Sequence, residues 1–400
     1  IIHALVKYFN ILFLILFLTT SAKAQSVKVS VSKVSIPTYT EPEREELPMF
    51  AENRVHQRSS GNPYPNKIVL KVNREQKVDK EYTLIKLENE YLELQILPEI
   101  GGKIYAAKDK TNGYDFFYKN HVIKPALIGA LGSWISGGLE FNWPFHHRAS
   151  SFMPTDYEIE KLPGGGVIVW VSEHDPTDRM KGMVGIVLNP GESIFETRVK
   201  LSNITPLRHS FLWWENVAVP SNKNYEIFFP HDVSHVFFHY KRSVTTYPVA
   251  TNAAGIFNGI RYDGAVDISK HKNTIQPTSY FSAASQYDFF GGYDTGRKCG
   301  VVHIGDHHVS PGKKMFTWAY NQLSQSWENA LTDTDGAYCE LMAGSYSDNQ
   351  PDFTWLEPME TKTFSQYWFP IGEIGVPDFA NTTGAVSYTH LRAHETLMNL

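Results

Sequence analysis

The sequence predicts an all-β protein, and three observations predict it. From Ile68 to Pro370, short apolar alternations recur between turn residues, as expected of half-buried strands. Aromatic side chains are abundant, with 9 tryptophans, 21 tyrosines and 24 phenylalanines, and rings of this kind favour pleated surfaces. Long amphipathic helices and short repeats are hard to find before the C-terminal tail. Many short strands without intervening helices imply an antiparallel architecture. The length could hold more than one domain, but a large sandwich often runs to about 250 residues as one unit.

The elements can be justified in order. The opening run IIHALVKYFNILFLILFLTTSAKAQ carries Lys7, then apolar residues from Tyr8 to Leu18, then Ala22-Lys23-Ala24. That is the form of a secretory signal over residues 1–24, cut before Gln25. A membrane anchor would need about 20 apolar residues, and this run is shorter. No cysteine sits where a lipid anchor would require one. A soluble periplasmic or secreted protein is expected, with no membrane span after cleavage.

Residues 25–67 read as one leading strand, VKVSVSKVSI, followed by an irregular connector rich in Ser, Pro, Glu and Arg. LELQILPEIGGKIYAAKDKTNGYDFFY then alternates Leu92, Leu94 and Ile96, marks a tight place at Gly101-Gly102, and carries a hairpin signal at Asn112-Gly113. Further strands are expected at GGVIVWVSEH, KGMVGIVLN, SIFETRVKLSN, HSFLWWENVAV, YEIFF, CGVVHIGD, KMFTWAY and AYCELMAG. Residues 378–385 read as the start of a truncated linker. VSYTHL, from Val386 to Leu391, resembles one reading frame of a sequencing-library adapter, so residues 386–400 are set apart as a non-native tail and the natural chain is expected to continue past Ala385.

Composition narrows the function. With 37 basic and 42 acidic residues the formal net charge is −5, which gives no electrostatic reason to expect nucleic acid. Phosphate-binding loops, nucleophile elbows and dinucleotide fingerprints are absent from the sequence. Cys299 and Cys339 are the only cysteines; export would permit a disulfide between them, and two buried thiols fit equally. No cysteine pair has metal-ligand spacing, and neither HExxH nor a carboxylate-rich calcium loop occurs, so no metal or cofactor is expected.

The stretch GGLEFNWPFHHR concentrates chemistry. Leu139, Phe141 and Trp143 alternate with Glu140 and Asn142, so on a strand the apolar and polar sets part to opposite faces. His146, His147 and Arg148 follow Pro144, which ends the ladder. Glu340 interrupts a second strand pattern, YCELMAG, where Tyr338, Glu340 and Met342 share a face. Each glutamate taken alone fits a half-exposed strand position; two in such settings point to a cavity. The histidines of HDVSHVFFHY, His231, His235 and His239, share a face on a strand. FLWWENVAVP offers Trp214, Glu215 and Asn216, and SYSDNQPDFTWLEP offers Asp348, Gln350, Asp352 and Trp355. Planar amides and carboxylates take two hydroxyls at once, and an indole covers the apolar face of a sugar ring. Turn caps and a buried tryptophan would give the same residues a structural role.

Three long segments carry a resemblance. LELQILPEIGGKIYAAKDKTNGYDFFYKN, PALIGALGSWISGGLEFNWPFHHR and YCELMAGSYSDNQPDFTWLEPMETKTFSQYWFPIG resemble the domain of unknown function 5107 family, which is similar in fold to galactose mutarotases, over about Ile68 to Pro377. The resemblance implies an antiparallel β-supersandwich at 68–377 with a carbohydrate in its concave sheet, often followed by tetratricopeptide repeats. Mutarotase-like proteins use a late glutamate as base and a histidine as acid; Glu340 matches that glutamate, and Asn216 resembles an asparagine of the early sugar-binding motif. The sequence departs from true mutarotases in the expanded GLEFNWPFHHR segment. Its second carboxylate, Glu140, points to glycosidic bond cleavage, for which two carboxyl groups stand about 5 Å or about 6.5 to 9.5 Å apart.

The expected function is therefore an exported glycoside hydrolase with Glu140, Glu340 and His146 as catalytic groups. Asn142, Trp143, His147, Arg148, Trp214, Glu215, Asn216, His231, Asp348, Gln350, Asp352 and Trp355 would bind the saccharide. A glycan-binding module without catalysis and an aldose mutarotase or epimerase are the alternatives.

Overall fold

The computed structural model of the chain describes residues 26–41, 71–127, 134–145, 147, 151–176, 178–251, 255–257, 260–262, 265–349 and 352–388. The expected signal, most of the connector, and the catalytic candidate His146 with Arg148 and Gln350 lie outside the described residues.

Two antiparallel sheets face each other. The larger has eleven strands, in the spatial order Lys28–Tyr39, Lys77–Glu88, Leu92–Leu97, Lys103–Asp109, Leu139–Asn142, Trp213–Pro220, Tyr338–Ser345, Gly312–Thr317, Thr278–Ser282, His235–Phe238 and Ser243–Thr246. The smaller has eight, in the order Tyr225–Phe228, Phe289–Asp294, Cys299–Ile304, Thr361–Gly372, Phe195–Ser202, Lys181–Leu188, Val167–His174 and Asp156–Lys161. This is the all-β supersandwich the sequence predicts.

The core between the sheets follows from alternation. Leu139, Phe141, Trp213, Val217, Leu341 and Ala343 of the larger sheet join Val169, Ile186, Val199 and Trp368 of the smaller in one buried cluster. Ring contacts stitch the layers: Phe117 meets Phe195 and Trp368 edge-on at 5.9 and 5.8 Å. One polar pair crosses this layer where Trp213 Nε1 donates to Gln366 Oε1 at 2.9 Å.

Several expectations need correction. The leading strand pairs along its whole length with Lys77–Glu88, so the larger sheet begins well before Ile68. KMFTWAY stops being a strand at Thr317, and a helix follows over Gln322–Leu331. Asn321 caps it by accepting from the Ser324 amide at 3.3 Å. Trp327 on that helix lies 4.8 Å from the ring of Trp318, and Leu331 is buried, so tertiary packing stabilises a helix of only ten residues. Residues 378–385 form most of a hairpin, Phe379–Asn381 with Gly384–Val386, and Phe379 packs edge-on against Tyr287 and Phe289. Of the two readings left open for the cysteines, the free thiols are found: Cys299, half-buried, and Cys339, buried, lie on different sheets. Among the described residues no helix is long and apolar enough to cross a membrane.

One glycine governs how the chain enters the strand Leu139–Asn142. Gly138 sits at φ +64°, its amide donates to the Tyr118 carbonyl at 2.8 Å, and its carbonyl accepts from Ala218 at 2.9 Å. A methyl group there would collide with the carbonyl oxygen of Ile104. Gly113 also has positive φ, +77°, but a methyl group would meet nothing within 4 Å. Gly113→Ala should therefore cost the backbone strain alone, about 1 kcal/mol. Gly138→Ala should cost at least about twice that, because a backbone collision is added. Urea midpoints of the two variants test this, and equal losses would refute the close approach.

Candidate functional site: the outer face of the central strands

Cross-strand register places the chemistry. Leu139–Asn142 pairs with Trp213–Pro220 so that Glu140 faces Asn216 and Asn142 faces Trp214. Trp213–Pro220 pairs with Tyr338–Ser345 so that Asn216 faces Met342 and Ala218 faces Glu340. Directly opposed residues share a face, so these side chains all project from the outer side of the larger sheet, away from the smaller one. Lys314 and Phe316 join them from Gly312–Thr317, opposite Met342 and Glu340. Lys103 joins from the other flank, one residue from Ile104, which pairs with the core-facing Leu139.

Every one of these polar groups is buried: Glu140, Glu340, Asn142, Asn216, Lys103 and Lys314. Aromatic walls do the burying. On one side stand Trp134, Trp318, Tyr338 and Phe316, with Trp327 behind them. On the other stand Trp214, Phe281 and Met342, with Phe237 and Phe353. Trp214 lies over Gly312 and Gly344, where any side chain would meet its indole.

The two carboxylates have opposite surroundings. Glu140 accepts from Trp134 Nε1 at 3.0 Å and contacts His147 Nδ1 at 3.1 Å through each oxygen. Burial alone would raise its pKa, but the His147 charge and hydrogen bond, the Trp134 donor and the Lys103 charge outweigh burial and bring it down to about 2. Glu340 moves the other way. Burial raises it and the Glu140 charge adds to that, against the pull of His147, Lys314 and Lys103. Burial opposes the charge on His147, yet Glu140 and then Glu340 hold its pKa above the usual value. Burial pushes Lys314 down, with Glu340 opposing, and pushes Lys103 down to about 8, its amine donating to the Ile135 carbonyl at 3.0 Å. At neutral pH the face thus carries one firmly ionised carboxylate and one that retains a proton readily. Both amide atoms of Asn142 and both of Asn216 are buried without a hydrogen-bond partner. Buried amides in that condition are poised for a ligand or water that supplies donors and acceptors together.

The structure gathers Glu140, Asn142, His147, Trp214, Asn216 and Glu340 from the set expected by sequence. Two of the expected residues belong to the core instead. Trp143 packs between the sheets, on Gly182 and 5.5 Å from Phe211. Glu215 is fully buried and accepts from Trp368 Nε1 at 2.7 Å. Both are one residue out of phase with the functional face. His231 is exposed, 4.6 Å from the ring of Tyr287, and Trp355 is exposed beneath the Arg208 guanidinium at 4.6 Å. Asp348 and Asp352 are exposed on the loop after Tyr338–Ser345. Sequence reading missed Lys103, Lys314, Trp134 and Trp318. The signal for Lys314 was present, since it lies in phase with Phe316 and Trp318 in KKMFTW.

Glu215 yields a test of its corrected placement. Burial raises its carboxyl from the usual 4.5 to about 7, with Thr197 and Trp368 opposing. A raised pKa means that the stability contribution is complete below pH 4.5 and is lost as pH rises through about 7. Above that pH the ionised group costs at most about 3 kcal/mol. Glu215→Gln keeps the shape and the Trp368 acceptor without the charge. It should match wild type in thermal midpoint at acid pH and exceed it above neutrality, and a variant less stable than wild type at alkaline pH would show that the charge is stabilised here.

Comparison with solved structures places the fold. A TPR-domain containing protein from Parabacteroides distasonis superposes with a TM-score of 0.75 at 21% identity, over 92% of this chain and 58% of that one. This chain thus spans little more than half of that protein's length. A putative mutarotase from Salmonella typhimurium superposes with a TM-score of 0.51 at 9% identity, over 73% of this chain and 91% of its own. The Slr1438 protein from Synechocystis sp. gives 0.50 at 12% identity, over 72% and 96%. At these identities the likeness is one of fold, the galactose mutarotase-like supersandwich. Residues 61–371 match the family described as Domain of unknown function (DUF5107), and the chain belongs to that family.

Proposed function

We propose that this protein is an exported carbohydrate-active enzyme that cleaves glycosidic bonds on the outer face of its larger sheet. One observation carries the reading. Two buried carboxylates, on strands separated by a single strand, share a face while their surroundings drive their proton affinities apart. Environments that separate two carboxylates in this way divide the acid and base roles between them.

Glu340 keeps a proton near neutrality and would donate it to the glycosidic oxygen. Glu140 stays ionised, held by His147 and Trp134, and would act at the anomeric carbon, as nucleophile or through an activated water. Asn142 and Asn216 would bind ring hydroxyls with their unpaired amides, and the tryptophan walls would cover the apolar faces of the sugar and keep water out. The neutral-to-acidic composition agrees with a saccharide partner rather than a polyanion such as nucleic acid.

A second reading, ring opening of a free aldose, has one observation in its favour: His147 interacts with both glutamates, so a histidine acid and a glutamate base already stand together. The two readings separate by product. Wild type should release new reducing ends from an oligosaccharide panel, with activity lost on the acid side as Glu140 gains a proton and on the alkaline side as Glu340 loses one. Glu340→Gln should lower kcat by about 10²- to 10⁴-fold, and Glu140→Gln should also abolish most turnover. Anomer interconversion of free sugars without bond cleavage would favour ring opening; saccharide binding with neither reaction would make the protein a binding module.

A further inference from the structure

The row that begins at Glu140 does not stop at Lys314. Register continues it strand by strand, from Glu140 through Asn216, Met342 and Lys314 to Phe281, Phe237 and Val244. Neighbouring strands lie about 4.8 Å apart, so Phe237 stands five strands, or about 24 Å, from Glu140. That reach exceeds the span of a single sugar ring.

At its far end the row opens into a cavity of about 290 Å³, lined by Phe237, His239, Arg242, Phe281 and Asn349 among others. None of the described residues lining it is acidic. Lys314 Nζ lies 4.7 Å over the ring of Phe281, whose edge meets the His239 ring at 6.1 Å. His239 and Arg242 line the cavity, and Lys314 lies beyond the Phe281 ring; burial lowers the His239 pKa first, and the charges of Lys314 and Arg242 lower it further. The nearest acidic groups on the loop that brings in Asn349 are Asp348 and Asp352, both exposed, and Asp348 raises the pKa of Asp352 after burial does.

We propose that this cavity is a subsite for an acidic sugar unit, bearing a carboxylate or a sulfate ester, in the same oligosaccharide that is cleaved between Glu140 and Glu340. The inference rests on the carbohydrate reading above and gives its substrate class. Phe281 and Phe237 would support the ring, Asn349 would take a hydroxyl, Arg242 would pair the anion, and the neutral His239 ring would donate a hydrogen bond to it. Arginine suits this role because its planar fork meets a carboxylate or sulfate with two parallel donors.

The test is binding by calorimetry to a panel of length-matched oligosaccharides, one set neutral, one containing uronic acids, one sulfated, using wild type, Arg242→Gln and His239→Gln. Both substitutions lie outside the Glu140–Glu340 face, and Arg242 is exposed, so folding should be preserved. Wild type should prefer one acidic set over the neutral one, and which set it prefers separates carboxylate from sulfate. Arg242→Gln should weaken that binding by about tenfold or more while leaving neutral binding unchanged, and added salt should reproduce the loss. Neutral oligosaccharides bound as tightly as both acidic sets, or acidic binding indifferent to Arg242→Gln, would overturn the subsite and leave the carbohydrate reading standing. Failure of every saccharide to bind would overturn both.

Discussion

The register of three strands is the constraint on which the rest depends. Leu139–Asn142, Trp213–Pro220 and Tyr338–Ser345 are buried on both faces, so neither face can drift toward solvent. Side chains alternate with a period of two, and a slip of one residue would send Glu140, Asn216 and Glu340 into the inter-sheet core while lifting Phe141, Val217 and Leu341 out of it. Gly138 pins the entry of the first strand between Tyr118 and Ala218. The strand Trp213–Pro220 is then paired along its whole length with Tyr338–Ser345 and over Trp214 to Val217 with Leu139–Asn142, which fixes the lateral order of the polar groups.

That fixed order holds charges where they are expensive. Carboxylates and amines taken out of water lose hydration that only partners can offset. Glu140 has such partners in Trp134 and His147, whereas Asn142 and Asn216 have none. A face arranged only for stability would exchange these groups for apolar ones of similar volume, since that replacement is often neutral or favourable. Their retention behind aromatic walls is the pattern of preorganised polar groups, which act most strongly where water is excluded. The surroundings do the discriminating: the same side-chain type is held ionised at Glu140 and pushed toward its neutral form at Glu340.

Much of this was legible in the sequence. Alternation in GGLEFNWP and YCELMAG put Glu140, Asn142 and Glu340 on faces opposite their apolar neighbours, and the structure agrees. The same rule applied consistently would have excluded Trp143 and Glu215, each adjacent in sequence to a true face residue and therefore pointing the other way. A cluster of attractive residue types in WWENVAV hid the phase. The lysines were overlooked because a strand lysine ordinarily reads as solvent-facing, and only tertiary contacts, Phe281 over Lys314 and the Ile135 carbonyl on Lys103, bring them onto this buried face. The helix Gln322–Leu331 was missed for a related reason: its stability comes from Trp327 against Trp318, a contact between a helix and a strand end that local spacing does not announce. The hairpin at Phe379 depends likewise on a partner nearly a hundred residues earlier, Tyr287.

The central strands therefore divide two duties between odd and even positions of one backbone. Residues pointing inward hold the layers together, and residues pointing outward form the buried polar face behind the aromatic walls. Substitutions confined to the outward set would therefore leave the inter-sheet packing in place, because the inward set alone specifies the contact between the layers.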